Sequence, residues 1–254
     1  SEMCIRGRDG IGMLSTFVKN AGALGTFLYG LIERALIPFG LHHVFYTPFW
    51  YGSFVEANVL VNGSVQTVAG ANTAYFVQLS SMTDLVGASA STMSEIVSGT
   101  TRFMAGKFPL MMFGLPGAAL AMYKAANPSK RKVVGSLLAT AALTSFLTGI
   151  TEPLEFTFLF VAPILYVIHC VFAGLAYMLM GVLNVFIGMT FSGGFIDYAL
   201  FGLLPAGAGV PTKWLTVILV GIVYFVVYYF VFYFMITKLN LKTPGRDENE
   251  EETK

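Results

Sequence analysis

Read for its hydrophobic and polar positions, the chain alternates long charge-free stretches with short polar joints. The clearest stretch is Trp214 to Ile236, WLTVILVGIVYFVVYYFVFYFMI, 23 residues without a charge. At about 1.5 Å per residue a helix of that length spans roughly 30 Å of hydrocarbon. Its length and lack of turn residues decide for helix over strand, despite the aromatic and β-branched content. Phe17 to Phe39, FVKNAGALGTFLYGLIERALIPF, is also long enough, but carries Glu33 and Arg34 and stops at Pro38. Adjacent side chains on a helix point about 100° apart, so these two pair with other helices rather than with each other. Val133 to Thr148 is rich in small residues and predicts a close-packed helix. The apolar run from Phe156 to Met189 divides into two spans, 156–173 and 174–190, which with 133–151 and 214–236 make four crossings.

Three regions break this pattern. The piece FPLMMFGLPGAALAMYKAA holds Gly114, Pro116 and Gly117 in its middle, which predicts a broken or re-entrant helix. Between Ser53 and Lys107 small polar residues replace the apolar runs, so 53–105 reads as a polar loop or extramembrane insertion with no assigned role. The stretch FSGGFIDYALFGLLPAGAGVPTK reads as a glycine-rich link.

Composition agrees with the pattern. A chain that is 56% hydrophobic and 11% charged, with mean hydropathy +0.71, is an all-α integral membrane protein rather than a water-soluble domain. A net charge of +1 with no basic block interleaved with aromatics gives no reason to expect nucleic acid. Cys4 and Cys170 lack metal-ligand or CxxC spacing and read as ordinary thiols, with no metal site expected. Nothing at the start has the form of a signal peptide, and the chain is expected to begin inside a longer protein. Lys238, Lys242 and Arg246 favour a cytoplasmic C-terminus, and Lys130, Arg131 and Lys132 favour a cytoplasmic loop. Both hold only if an even number of crossings separates them, and with three the basic loop lies outside.

The stretch GITEPLEF, Gly149 to Phe156, sets Glu152 and Glu155 around Pro153 inside the most apolar region. A carboxylate at the bilayer centre costs about 2.5–3.5 kcal/mol on insertion scales, so it is expected at a cavity, a partner or an ion path. Pro153 forbids an ordinary helix interior and favours an extended Thr151-Glu152 step or a helix start; a helix start puts Glu152 near the cap and Glu155 in the first turn, where the helix dipole stabilises negative charge. Carboxylates and histidines that bond hydroxyls, beside aromatic faces for C–H surfaces, form a sugar-binding palette. His42, His43, Phe45, Tyr46, Phe49 and Trp50 supply the rest of it. The bland alternative is a pair of carboxylates that caps a buried helix and pairs with Arg34 or Arg102. One of the adjacent histidines is expected to be a packing or loop residue, His169 to be structural, and Asp197 to be a cap or turn residue.

ERALIPFGLHH, FGLPGAALAMYKAANP, GITEPLEFTFLFVAPILYVIH, TFSGGFIDY and LNLKTPGR occur here in that order. Together they resemble the membrane subunit, enzyme IIC, of the bacterial sugar phosphotransferase system, in its glucose, maltose and N-acetylglucosamine group, from about Gly25 to Arg246. The resemblance implies a helical transport domain with two re-entrant hairpins over 1–236, lacking a preceding dimerising bundle, and a cytoplasmic linker at 237–254 towards a IIB domain. It implies a multi-pass protein of the bacterial cytoplasmic membrane, a homodimer at full length. It places sugar contacts on His42 or His43 and on Glu152, with Thr151 and Glu155 beside it, and assigns Glu152 as the base near the hydroxyl that is phosphorylated. The phosphoryl donor would be a phosphocysteine of IIB, supplied through IIA and the phosphocarrier protein, with no cofactor in the membrane part. FYTPFWYGSF and the insertion after Trp50 favour an α-glucoside such as maltose, with glucose next and N-acetylglucosamine third. Two rivals from other classes remain: a channel or structural subunit whose carboxylates line an ion path, and a sugar sensor that binds without transport.

Overall fold

The computed structural model describes residues 21–190 and 192–246. Cys4 and residues 17–20 of the first apolar segment lie outside the described residues. In chain order the elements are α1 (Gly22–Ala35), α2 (His42–Trp50), β1 (Glu56–Val61), β2 (Ser64–Ala69), α3 (Ala71–Leu79) and α4 (Ala90–Gly99). They continue with α5 (Thr101–Ala125), α6 (Arg131–Thr148), α7 (Glu152–Leu159), α8 (Pro163–Val182), α9 (Phe195–Gly207) and α10 (Trp214–Lys238).

Helix α1 packs along α8, while α5 is held between α10 and α6. Among the described residues α5, α8 and α10 are long and apolar enough to cross a membrane. Their burial separates them: 83% of the apolar window of α5 is buried against 28% of that of α10, so α5 is the bundle's axis and α10 its edge. Leu219, Ile222, Val223, Phe230 and Phe234 of α10 stay exposed, an apolar face suited to lipid.

The Gly-Pro piece is broken without being interrupted. Pro116 has no N–H to offer the turn before it. The backbone widens there into a π turn over Leu110–Gly114, and Ser145 of α6 donates its hydroxyl to the Met111 carbonyl at 2.7 Å. The supposed link after Ser192 repeats the device and is itself a helix, α9, with a π turn at Ala199–Leu203 before Pro205. Thr212 Oγ1 donates to the Gly202 carbonyl at 3.0 Å. The glycines that suggested a link sit at the ends and at the π turn, where neighbours replace the missing backbone bonds.

Two further expectations are corrected. The run 156–190 holds one long helix, α8, which Pro163 starts, preceded by the end of the short α7 and followed by a non-helical segment after Asn184, rather than two spans. The 53–105 region is folded rather than a loop. It contains an antiparallel hairpin, in register from Glu56 against Ala69 to Val61 against Ser64, an addition to the all-helical class. Asn62 and Gly63, with φ of 51° and 73°, form its two-residue turn. Tyr75, Met93, Ile96 and Val97 of the same region are buried in the main core with Tyr29, Phe103 and Phe186.

The two basic segments share one end of the bundle. Beyond α10, Arg246 donates to the carbonyls of Leu241 at 3.1 Å and Ala125 at 2.9 Å, and the Asn127 N–H donates to Gly245 O at 3.0 Å.

Candidate functional site

Helix α6 ends at Gly149, whose φ of 73° gives a left-handed C-cap, and the chain turns through Ile150 and Thr151 into α7. α7 then runs back beside its neighbours, with Phe158 edge-on to Phe232 and Thr157 Oγ1 near Met122. The segment leading into α9 meets this tip at Ser192 and Gly194. The Ser192 hydroxyl donates to the Thr148 carbonyl, and a Cβ on Gly194 would lie 2.5 Å from the Gly149 nitrogen and the Leu147 carbonyl. Asp197, in the first turn of α9, accepts from the Thr190 N–H at 3.1 Å, the Thr190 hydroxyl at 2.9 Å and the Ser192 N–H at 3.3 Å. It acts as the turn residue its surroundings predicted.

Beside these tips lies a cavity of about 610 Å³. It is lined by His42, His43, Tyr46 and Trp50 of α2, by Thr151 at the cap of α7 and Glu152 and Phe156 within it, with Glu33 and Arg34 of α1 and Lys107 of α5 also among its walls. Four of the five residues expected to contact a ligand, His42, His43, Thr151 and Glu152, therefore come together over more than a hundred positions of sequence. Glu152 is half-buried, and its Oε2 accepts from the Thr151 N–H at 3.1 Å at the start of α7. The Tyr46 and Trp50 rings pack at a 34° tilt with centroids 4.4 Å apart, and His43 Nδ1 shares a 2.7 Å hydrogen bond with the Tyr46 hydroxyl. His42 lies in α2, which is too short to span a membrane, and burial followed by the charge of His43 moves its pKa below the ordinary histidine value. Phe45 and Phe49 are not among the cavity walls and instead pack on Tyr29.

Glu155 is the fifth, and it sits behind the wall. It is 0% exposed, and its Oε1 accepts from Arg34 Nη1 at 2.7 Å and lies 3.1 Å from His169 Nε2. Arg34 Nη1 also donates to the Thr151 hydroxyl at 3.1 Å, and the Tyr166 hydroxyl donates to the Arg34 carbonyl at 2.6 Å. His169 is tied in turn to the Tyr228 hydroxyl at 2.8 Å. The bland alternative thus holds for Glu155 through Arg34, and His169 is structural as expected. Arg102 is elsewhere, its guanidinium 4.6 Å from the Phe103 ring centroid. This cluster ties α1, α7, α8 and α10 together and fixes Thr151 beside the cavity.

Glu33 and Arg34 face different partners, as their 100° separation required. Glu33 Oε1 accepts from Lys107 Nζ at 2.8 Å, and Oε2 accepts from the Tyr177 hydroxyl at 2.6 Å. The Lys107 ammonium also lies 4.8 Å from the Trp50 ring centroid and 5.4 Å from that of Tyr46. Sequence reading missed Lys107 as a site residue. Its signal was a lone lysine opening the apolar run of α5, the same kind of anomaly that flagged the glutamates.

Comparison with known proteins decides the family. The profile described as "Phosphotransferase system, EIIC" matches residues 6–174. The chain belongs to this EIIC family. It is accordingly a membrane protein, in keeping with its three apolar helices. It is similar to the "PTS system glucoside-specific EIICBA component" of Staphylococcus carnosus (strain TM300), at 52% identity over 249 residues and 97% of this chain. The chain spans 33% of that relative's length.

Proposed function

We propose that the chain is the sugar-binding and translocating part of a phosphotransferase permease for a glucoside, with maltose as the first candidate, glucose next and N-acetylglucosamine third. The observation that carries this is the cavity, which joins His42, His43 and Tyr46 of α2 to Thr151 and Glu152 of α7. A hydroxyl-rich ring needs acceptors on more than one side and an aromatic face for its C–H surface, and these residues provide both. The glucoside named for the relative from Staphylococcus carnosus supports the substrate class.

In this reading Glu152 orients the acceptor hydroxyl and takes its proton as the phosphoryl group arrives from a phosphocysteine of a IIB domain. Positioning is the main demand of that chemistry, and the tip-to-tip contact at Gly149 and Gly194 provides it. The two tips act as re-entrant hairpins and move with the sugar against a fixed scaffold. The end of the bundle that carries Lys130–Lys132 and Arg246 is cytoplasmic by its basic residues, and the segment after α10 leads towards IIB. IIA and the phosphocarrier protein act upstream, and the full-length protein is a homodimer. An ion path is disfavoured because Glu33 and Glu155 are each neutralised by a buried cation instead of forming a ladder of free carboxylates.

Radiolabelled maltose and glucose binding to the detergent-solubilised full-length protein, wild type against Glu152→Gln, tests the proposal. Saturable binding of one sugar that the substitution weakens by about tenfold to a hundredfold is the expected result. No binding of either sugar, or binding indifferent to the substitution, overturns it.

A further inference from the structure

The cavity contains a charged pair that sugar binding alone does not require. A neutral sugar needs hydrogen-bond partners, yet Lys107 places a full positive charge at the wall, 6% exposed and bonded to Glu33 at 2.8 Å. Glu33 is anchored from behind by Tyr177 through its other oxygen, so the carboxylate is the fixed member of the pair. Lys107 is a flexible stem carrying three donors, and its ammonium rests over the Trp50 and Tyr46 rings that form the same wall. The other cation of the cavity, Arg34, is bound to Glu155 and Thr151.

We propose that Lys107 is the phosphate-binding residue of this cavity, and that its ammonium exchanges Glu33 for the phosphoryl group as the sugar is phosphorylated. This rests on the phosphotransfer reading given above. In the step, the sulfur–phosphorus bond of the phosphothiol donor breaks and a phosphorus–oxygen bond to the sugar hydroxyl forms. The hydroxyl proton passes to Glu152, and the thiolate leaves with the electron pair of the broken bond. The group delivered carries more negative charge than the single carboxylate Lys107 already faces, and Glu33 and Glu152 would repel it. A cation in a partly dry site stabilises that charge, and its departure leaves Glu33 without its cation. The product is thereby held against a carboxylate that regains Lys107 only when the phosphate leaves. The empty and product-bound states differ by one exchange of partners at Lys107.

The test is the ratio of affinities of the full-length protein for glucose phosphates and for glucose, measured by competition against the labelled sugar in detergent. Glu33→Gln frees the ammonium and should raise the preference for the phosphate by about tenfold. Lys107→Met should lower it by at least as much and slow phosphoryl transfer from the donor domain. Because Lys107→Met leaves Glu33 buried and unpaired, Glu33→Gln/Lys107→Met serves as the charge-neutral variant and should show the same lowered ratio. A ratio unchanged in Glu33→Gln and in the double variant, with sugar still bound, makes the pair structural and overturns this proposal alone. Failure of the wild type to bind any sugar instead removes the phosphotransfer reading on which it rests.

Discussion

Two ion pairs descend from neighbouring residues of α1, and they do opposite things. Arg34 and Glu155, 2% and 0% exposed, form with His169 a cluster that reaches the cavity wall only through Arg34. Glu33 and Lys107 are nearly as buried, yet both belong to the cavity wall. Depth of burial therefore does not separate a structural pair from a functional one. What separates them is whether the carboxylate borders the cavity, as Glu33 does and Glu155 does not, and which donors or acceptors are already committed. The same division splits Glu152 from Glu155, three residues apart on α7.

The comparison breaks most visibly at the Arg34 cluster. Glu155→Leu leaves the Arg34 guanidinium buried without its carboxylate, and breaking such a pair costs about 3–5 kcal/mol. The full-length protein should show a large fall in thermal unfolding temperature, and stability close to wild type would mean that water reaches Arg34. Glu152→Gln should do the reverse, with an unfolding temperature near wild type and a loss of about 1.5–3 kcal/mol in sugar affinity, the range of a hydrogen bond to a charged group. Isothermal titration alongside the melting curve separates the two glutamates. If both variants unfold early and bind normally, the division drawn between them is wrong.

Gly194→Ala probes the join between the two tips. The added methyl meets the Gly149 nitrogen and the Leu147 carbonyl at 2.5 Å, and overpacking of that kind costs about 1–3 kcal/mol. Sugar affinity should fall along with stability, because the tip carries Thr151 and Glu152. Unchanged affinity would show that the tips need no contact to shape the cavity. The smallest effect is expected at Arg246→Ala, which removes the half-buried bonds to Ala125 and Leu241 at the end of the bundle, together worth about 1 kcal/mol. Hydrogen exchange should speed up at Asn127 and over 239–246, with the unfolding temperature and sugar binding barely moved.

Helices that depend on the chain's own local chemistry were legible. Trp214 to Ile236 was recognised by its lack of charge, and it extends to Lys238 because one terminal lysine can reach out of an apolar layer. The stop of α1 before Pro38 and the start of α7 at Pro153 followed from the ring's constraint on the backbone. The β1–β2 hairpin was legible but missed. Asn62-Gly63 stands between EANVLV and SVQTVA, and this dipeptide favours the positive φ angles of a two-residue hairpin turn. The continuity of α5 and the existence of α9 were not legible, because Pro116 and Pro205 are tolerated only through π turns and the hydroxyls of Ser145 and Thr212.

Sequence by itself determined that this chain belongs in a membrane, that its first apolar helix stops at Pro38, and which side chains are too polar for their surroundings to be there without a reason. It narrowed a site to His42, His43, Thr151, Glu152 and Glu155. Only the tertiary structure decided that Glu155 turns inward to Arg34 and His169 while Glu152 lines the cavity, and that Lys107 stands across from them over Trp50. The reason is physical: a lone charge in an apolar run announces only that its desolvation must be offset. Whether a distant cation or an incoming ligand offsets it depends on contacts made across the bundle, between residues as far apart as Arg34 and Glu155.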